Sequence, residues 1–459
     1  MLRDGASDSD RGFAGVRHVP GVKGFPLIGN FFDLVQNFDQ FLHKQYKTYG
    51  PLSRMGLVGH DALLALGPEL AEELFLNRER IYSNKQGYRD SLGLFYPGGL
   101  LLHDFEEHRH HRRFAQAAFK NTILQEHLKI MNTVFTTHLA SWKTEKDILF
   151  YPRIKNILLD VAAKIFLGFD ELGDKTNLIN EAFVNVTEGM LSIFLVDMPG
   201  FKYHRAMNGK RLLDHFMYTM IDERRKNPKS DMFSQLCIEK DDDGNYLADD
   251  EIVAAINFLM FAAHDTTSSA LAHMVLLLST NSEWQERLRD ESRSFGKEVL
   301  EFNDLDKLPD LQLVFMETLR LYPSAPILAR ATLKECTLAG YTVPKNTYIN
   351  FCPVFNHHME EWWSNPEEFD PERFSPERAE HKRHAFSYVP FGGGVHKCIG
   401  MHFAKMQTMA FMHVLLQQYR FKTAIDYVPQ LQAIPLPKPK DDLPIVIERI
   451  QHQVRIKTQ

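Results

Sequence analysis

One run of about thirty residues, from Asp249 or Asp250 to about Ser279, constrains this chain more than any other feature: it reads as a single helix with almost no polar face. Ile252, Val253, Ile256, Phe258, Leu259, Met260 and Phe261 fill nearly every direction around its axis. At 1.5 Å per residue it would be about 45 Å long. A helix that is apolar all round is buried inside a large protein. Asp249 or Asp250 is expected to cap it, and Glu251 suits its first turn. Its middle nevertheless reads His264-Asp265-Thr266-Thr267-Ser268-Ser269. Burying polar groups without partners costs roughly 2–7 kcal/mol each. These side chains therefore either form a satisfied polar layer or have a chemical task. Ser and Thr can also bond back to the preceding turn and bend the helix.

A core able to bury such a helix is within reach of 459 residues, 44% of them apolar and 24% charged. That profile is an ordinary globular one and excludes disorder for most of the chain. Lys plus Arg give 53 against 59 for Asp plus Glu, a net charge of −6. This mild acidity argues against a nucleic-acid partner. The four cysteines, Cys237, Cys336, Cys352 and Cys398, form no C-x-x-C pair and no disulfide framework, which fits a reducing compartment. The N-terminus has no apolar signal region, and no stretch of 18 apolar residues occurs, so neither a secretory signal nor a transmembrane anchor is expected. A cytoplasmic monomer is the expectation.

Residues 1–19 read as a flexible tail, and residues 20–459 as one large domain. Pro20 to Asn30 is a stiff, turned lead-in. Helical spacing covers 32–48, a β-rich stretch covers Leu52 to Leu66 with a turn beside Gly59, and helices dominate from about 105 to 335. Strand character returns over 331–352, residues 361–400 look irregular, and a last helix runs from about Ile399 to Gln418. The fold class is mainly α with a small β region around the long central helix.

The sharpest chemical signal is Phe391-Gly392-Gly393-Gly394-Val395-His396-Lys397-Cys398-Ile399-Gly400. Glycines let backbone approach closely, and backbone N–H groups at a helix start stabilise a thiolate. Such a thiolate is either a nucleophile or a metal ligand. The spacing Phe391-x-x-Gly394-x-x-x-Cys398-x-Gly400 resembles the haem-binding loop of the cytochrome P450 family, in its soluble bacterial type. Three further segments stand in that family's order. Glu317-Thr318-Leu319-Arg320 resembles its E-x-x-R motif; the pattern occurs four times in the chain, but only this copy precedes Leu321-Tyr322-Pro323. Phe369 to Phe374 resembles the P-E-R-F segment, whose Arg373 would complete a Glu317–Arg320–Arg373 network. Ala262 to Thr267 resembles the oxygen-activation stretch, with Ala263 where the family usually has glycine.

The resemblance spans nearly the whole chain and implies the cytochrome P450 fold with haem b bound, Cys398 being the axial ligand of its iron. It implies that Asp265 and Thr266 are catalytic, and that His108, Arg112, Arg330 and His396 bind the haem propionates through charge-assisted hydrogen bonds. It implies a monooxygenase that inserts one atom of O2 into a hydrophobic substrate: a fatty acid, a terpenoid or a steroid-like molecule. The chain runs to Gln459 without a reductase-like segment, so NAD(P)H is expected to act indirectly, through a ferredoxin, flavodoxin or flavin reductase. Lys397, Lys405, Arg109 and Arg113 suggest a basic face for an acidic partner. Phe95, Leu101, Ala262, Ala263, Ile327 and Leu328 are candidate pocket residues. Residues 181–226, around Met190, Leu191, Phe194 and Pro199-Gly200, resemble the family's mobile lid.

Two other readings compete. A haem-thiolate peroxygenase or isomerase would need no reductase, and the intact Asp265–Thr266 pair argues against it. A non-catalytic haem sensor would bind ligands without reductant-coupled product. The run Glu107 to Arg113 lacks the cysteine and carboxylate company of a zinc site. The run Glu239 to Gly244 fits a calcium loop poorly and reads as a solvated hairpin. His357 and His358 read as plain turn residues.

Overall fold

The structure is a computed structural model that describes residues 15–25, 28–57, 60–169, 173–190, 192 and 195–450. The long apolar run is one helix, Asp249–Thr280, and it forms the axis of the molecule. Phe150–Leu167, Met401–Gln418 and Pro309–Leu321 pack around it, Asn121–Ala140 packs on the first two of these, and their apolar faces share one core with it. Lys202–Lys226 crosses over it, lying against Asp174–Gly189. The capping differs from expectation. Ala248 is the N-cap, and the Glu251 side chain accepts its backbone N–H at 3.0 Å, while Asp249 and Asp250 lie inside the first turn. An alanine cap has no side-chain acceptor, so the reach-back of Glu251 and the acidic first turn serve the helix dipole instead.

The small β region is a six-stranded sheet with the spatial order Gly21–Val22, Leu52–Leu57, His60–Ala65, Tyr348–Phe351, Leu328–Thr332, Tyr82–Ser83. Leu52 pairs with Ala65 in an antiparallel ladder, and Leu63 pairs with Ile349 in a parallel one. Alternation sorts the side chains by face. Met55, Ala62 and Leu64 meet Phe38, Phe41 and Leu42, whereas Leu52, Leu63, Ile349 and Phe351 meet Leu70, Leu74 and Phe75. Ala339 and Gly340 turn between the strands Cys336–Leu338 and Tyr341–Val343, both at positive φ. A second sheet joins Tyr419–Lys422, Pro444–Arg449 and Glu145–Leu149.

Several sequence expectations are corrected. The helix over 32–48 is two, Phe31–Gln36 and Phe38–Tyr49, broken at Asn37, whose φ of −136° is not helical. Residues 15–19 of the expected tail are packed: Val16 and Val19 are fully buried, and His18 Nε2 lies 2.7 Å from the Thr342 carbonyl. Residues 1–14, the turn at 58–59, and Leu191 and Phe194 lie outside the described residues. His357 is no plain turn residue. It ends the helix Pro353–His357, is fully buried, donates from Nδ1 to the Arg320 carbonyl and accepts the Val389 N–H at Nε2. Residues 361–400 are irregular but not loose, since Trp363, Arg373 and Ser387 are fully buried. The segment after Glu239 is the expected hairpin, with Lys240 bridged to Tyr246 and the Asp241 carbonyl accepting from Gly244. Among the described residues no helix is long and apolar enough to cross a membrane, and no three His, Cys, Asp or Glu side chains are grouped to hold a metal ion.

Candidate active site

Cys398 ends a tight loop. Its N–H donates to the Phe391 carbonyl at 2.9 Å, and a single 3-10 turn, Gly394–His396, lies between them. The glycines are required there. A Cβ on Gly394, which has φ 62°, would fall 1.8 Å from the Phe75 carbonyl oxygen, and one on Gly393 would fall 2.8 Å from the Phe75 ring. The loop is thus pressed against the helix Pro68–Leu76. Phe391 anchors its other side against Ala270 of the central helix and Phe315 and Leu319 of Pro309–Leu321. The helix Met401–Gln418 starts three residues after Cys398.

The Cys398 side chain is exposed, yet burial is the largest influence on its thiol and pushes the pKa up. Both hold for a side chain that faces an interior opening. The Gly400 backbone and the Arg112 charge act the other way and favour the thiolate. Binding a metal ion removes such a thiol proton outright.

Four nitrogen-bearing side chains converge on the same region. His108 and Arg112 sit one turn apart on Phe105–Ala117, Arg330 comes from the strand Leu328–Thr332, and His396 comes from the cysteine loop. The His108 and His396 rings are 3.9 Å apart. Burial first, then the charges of His108, Arg330 and Arg112, lower His396 to about 2. Burial and Arg112 lower His108 to about 4. Among the described residues none of the four has a carboxylate within ion-pair distance. Gathering like charges in a buried space is unfavourable unless an anion joins them. The Arg330 backbone is held by Gly87, where a Cβ would lie 2.7 Å from the Arg330 Cα. A thiol facing an interior opening and a cradle of donors, in which His108 and Arg330 feel the charge of Asp104 without pairing with it, fit a haem with its two carboxylates.

The polar middle of the central helix has partners that the sequence did not disclose. His264 Nε2 lies 3.1 Å from the Lys155 carbonyl, and the Lys155 Nζ lies 2.9 Å from Asp265 Oδ1. His264 Nδ1 is 3.1 Å from the same carboxylate oxygen. Burial would raise Asp265, but His264 and Lys155 together outweigh it and hold the carboxyl well below its usual range. Thr266 donates to the Ala262 carbonyl at 2.7 Å, Ser268 to the His264 carbonyl at 2.9 Å, and Ser269 to the Pro437 carbonyl at 2.6 Å. Most of this stretch is therefore a satisfied polar layer. Ala262, Ala263, Asp265 and Thr266 are only partly buried.

Glu317, Arg320 and Arg373 come together with no solvent exposure. Glu317 accepts from Arg320 Nε at 2.7 Å and Nη2 at 2.9 Å, from Arg373 Nε at 3.2 Å and from the Asp370 N–H at 2.9 Å. The two guanidinium groups also donate to carbonyls of His357, Ser364, Asn365, Pro366 and Glu368. The network thus ties down the irregular segment that leads into the cysteine loop.

The candidate pocket residues separate. Phe95 is buried, with its ring 5.8 Å from that of Tyr203 on Lys202–Lys226, and Leu101 packs on the main core. Leu328 lies beside the cysteine loop, with its Cδ1 3.8 Å from where a Gly392 Cβ would stand. Ile327 turns to the cluster of Leu34, Phe38 and Met55 on the other face of the sheet, so it joins the core there. The expected basic face is largely compensated. Arg109 pairs with Glu106, Arg113 with Asp242 and Lys405 with Asp306, each at 2.5–2.8 Å. Sequence reading missed Lys155, and it missed His103, whose Nε2 lies 2.9 Å from the Gly98 carbonyl and whose ring stacks on that of His111 at 3.9 Å. Lys155 carries no motif, whereas His103 precedes the histidine run and was open to notice.

A mainly helical body with a cysteine loop set beside its central helix and an anion cradle beside that loop defines a haem-thiolate type of protein. The sequence model described as cytochrome P450 matches residues 19–444. A Mycobacterium tuberculosis protein designated cytochrome P450 136 is 37% identical over 443 residues, covering 95% of this chain and 89% of that one. Taxane 10-beta-hydroxylase of Taxus cuspidata is 27% identical, covering 92% and 88%. The structure titled retinoic acid bound cyanobacterial CYP120A1 superposes with a TM-score of 0.84 at 27% identity, covering 94% of this chain and 99% of that one. The chain belongs to the cytochrome P450 family. It is accordingly a monooxygenase, an oxidoreductase that works with haem, O2, an organic substrate and a redox partner.

Proposed function

We propose that this monooxygenase hydroxylates a terpenoid-like lipophilic substrate, on haem b held by Cys398, with electrons drawn from NAD(P)H through a separate ferredoxin, flavodoxin or flavin reductase. The observation that carries the haem assignment is the exposed Cys398 thiol beside four nitrogen-bearing side chains, His108, Arg112, Arg330 and His396, that have no carboxylate within ion-pair distance among the described residues. No C-x-x-C-H run exists to attach haem covalently, which supports a b-type group. Of the three substrate classes the sequence leaves open, terpenoids are favoured by two relatives, one named for taxane hydroxylation and one solved with retinoic acid.

Haem with a thiolate ligand supplies oxygen activation when bound. The chain's own residues do the rest. Arg112, Arg330, His108 and His396 orient the group through its carboxylates. Thr266 commits its hydroxyl proton to the Ala262 carbonyl, which turns its lone pairs outward as acceptors. Asp265 stays ionised between Lys155 and His264, so it takes up a proton only when that pairing loosens. Ala262 and Ala263, partly buried on the central helix, supply apolar surface beside Thr266.

The test is an optical titration of the purified ferric protein with terpenoids (retinoic acid among them), fatty acids and steroids. A low-to-high-spin shift confined to terpenoids is expected. A shift confined to fatty acids or steroids overturns the substrate class and leaves the haem assignment standing.

A further inference from the structure

The cysteine loop reaches the surface. Val395 is 64% exposed, and Lys397, next to Cys398 in the chain, is exposed with no carboxylate within ion-pair distance among the described residues. Three further cations stand around this loop on two elements. Arg113 directly follows Arg112, whose charge acts on the Cys398 thiol. Lys120 directly follows Phe119, whose ring lies 4.0 Å from where a Gly400 Cβ would stand. Lys405 lies on Met401–Gln418, two residues past Phe403, whose ring centroid is 6.3 Å from that of Phe119.

Each of these three cations is met by a carboxylate from a connecting segment. Arg113 Nη1 lies 2.5 Å from Asp242, Lys120 Nζ lies 3.0 Å from Glu239, and Lys405 Nζ lies 2.8 Å from Asp306. Glu239 and Asp242 belong to the hairpin after the helix Met232–Ile238, and Asp306 to the turn before Pro309–Leu321. The side chains of Asp242 and Asp306 are 88% and 87% exposed, so neither is a core anchor. Ion pairs this exposed contribute little to stability. They do change what a charged protein meets from outside: of the four cations around the loop, only Lys397 is left open.

We propose that Glu239, Asp242 and Asp306 are internal competitors of an acidic electron-donor protein. They occupy the cations that the donor's surface carboxylates bind, and they leave those cations when it docks. The proposal rests on the separate-redox-partner reading above and adds a brake to it. Exposed pairs open at small cost, so docking exchanges one set of ion pairs for another, and the competing carboxylates lower both the attraction and the affinity.

An acidic [2Fe–2S] ferredoxin and an acidic flavodoxin serve as probes. Their binding to the haem-loaded protein is measured by calorimetry at about 0.15 M salt, where charges more than about 8 Å apart are largely screened. Asp242→Asn and Asp306→Asn are each expected to tighten binding by about two- to fivefold, the worth of an exposed ion pair, and the two gains to multiply because hairpin and turn share no partner. Asp243→Asn removes the same charge from the same hairpin, but Asp243 has no cation within ion-pair distance among the described residues. It is expected to leave affinity within about 1.5-fold. In an Arg113→Ala background the gain from Asp242→Asn is expected to vanish. Equal gains from Asp242→Asn and Asp243→Asn, a gain that survives Arg113→Ala, or no gain from either Asp242→Asn or Asp306→Asn overturns the proposal. Failure of the natural protein and every variant to bind either donor overturns the acidic-partner reading and this proposal with it, a result distinct from binding that no variant changes.

Discussion

Thr266 lies one turn beyond Ala262 and gives its hydroxyl proton to that residue's carbonyl at 2.7 Å. Valine matches threonine in shape but has no oxygen. Thr266→Val is therefore expected to leave ligand affinity within about twofold while lowering product formed per NAD(P)H consumed by about a hundredfold, the lower end of what a positioned proton-handling group contributes. Parallel measurement of product and reductant consumption checks this, and unchanged coupling would remove Thr266 from the reaction. Cys398 and Thr266 were both visible in the sequence because each sits in a short run whose composition is costly unless used: three glycines before a cysteine, and six polar residues inside an apolar helix. Lys155 was not visible. It reaches Asp265 only because the helix Phe150–Leu167 packs on the central helix, and no local pattern encodes that pairing.

At the scale of elements, the decisive arrangement is a helix that holds an irregular segment. Glu317 faces the guanidinium groups of Arg320 and Arg373 with no solvent exposure and accepts the Asp370 N–H, and buried Glu380 makes a second ion pair with Arg373 at 3.2 Å. Removing Glu317 leaves Arg320 buried without an anionic partner, which costs about 3–5 kcal/mol. Glu317→Gln is expected to destabilise by that amount, read from the urea midpoint of the holoprotein, and to loosen haem retention because the segment it ties down leads into the cysteine loop. A loss below about 1 kcal/mol would show that the carbonyl partners of Arg320 and Arg373, together with Glu380, suffice without Glu317. The central helix, the strand character over 331–352 and the final helix were legible because their periodicities are local. The break at Asn37 and the packing of Val16 and Val19 were not, since they depend on what those residues meet in the fold.

Across the whole molecule, buried histidines set the response to acid. Burial lowers both His127 and His273 from the ordinary 6.5 to about 4. Between those values the unfolded chain binds the proton and the folded chain does not. Stability is therefore flat above about pH 7 and falls as the pH drops from 6.5 towards 4, by up to about 1.4 kcal/mol per pH unit for each histidine. Asp265 adds nothing to this slope. Its carboxyl is held below the usual aspartate value of 3.8, so its contribution persists through this window and is lost only in stronger acid. Urea midpoints at pH 7.5 and 5.0 check the expectation, and equal midpoints would refute it.

The sequence by itself determined the buried helix, the glycine loop that presents Cys398 and the order of the segments around them, because each is written within a few turns of chain. The tertiary structure alone decided which charges meet. It closed Glu317 on two arginines, gathered His108, Arg112, Arg330 and His396 with no carboxylate in ion-pair distance among the described residues, and turned Ile327 away from the site. Periodicity and loop chemistry act over neighbouring residues, whereas the partners of a buried polar group come from chain segments far apart in sequence. Those partners exist only once the core has brought them together.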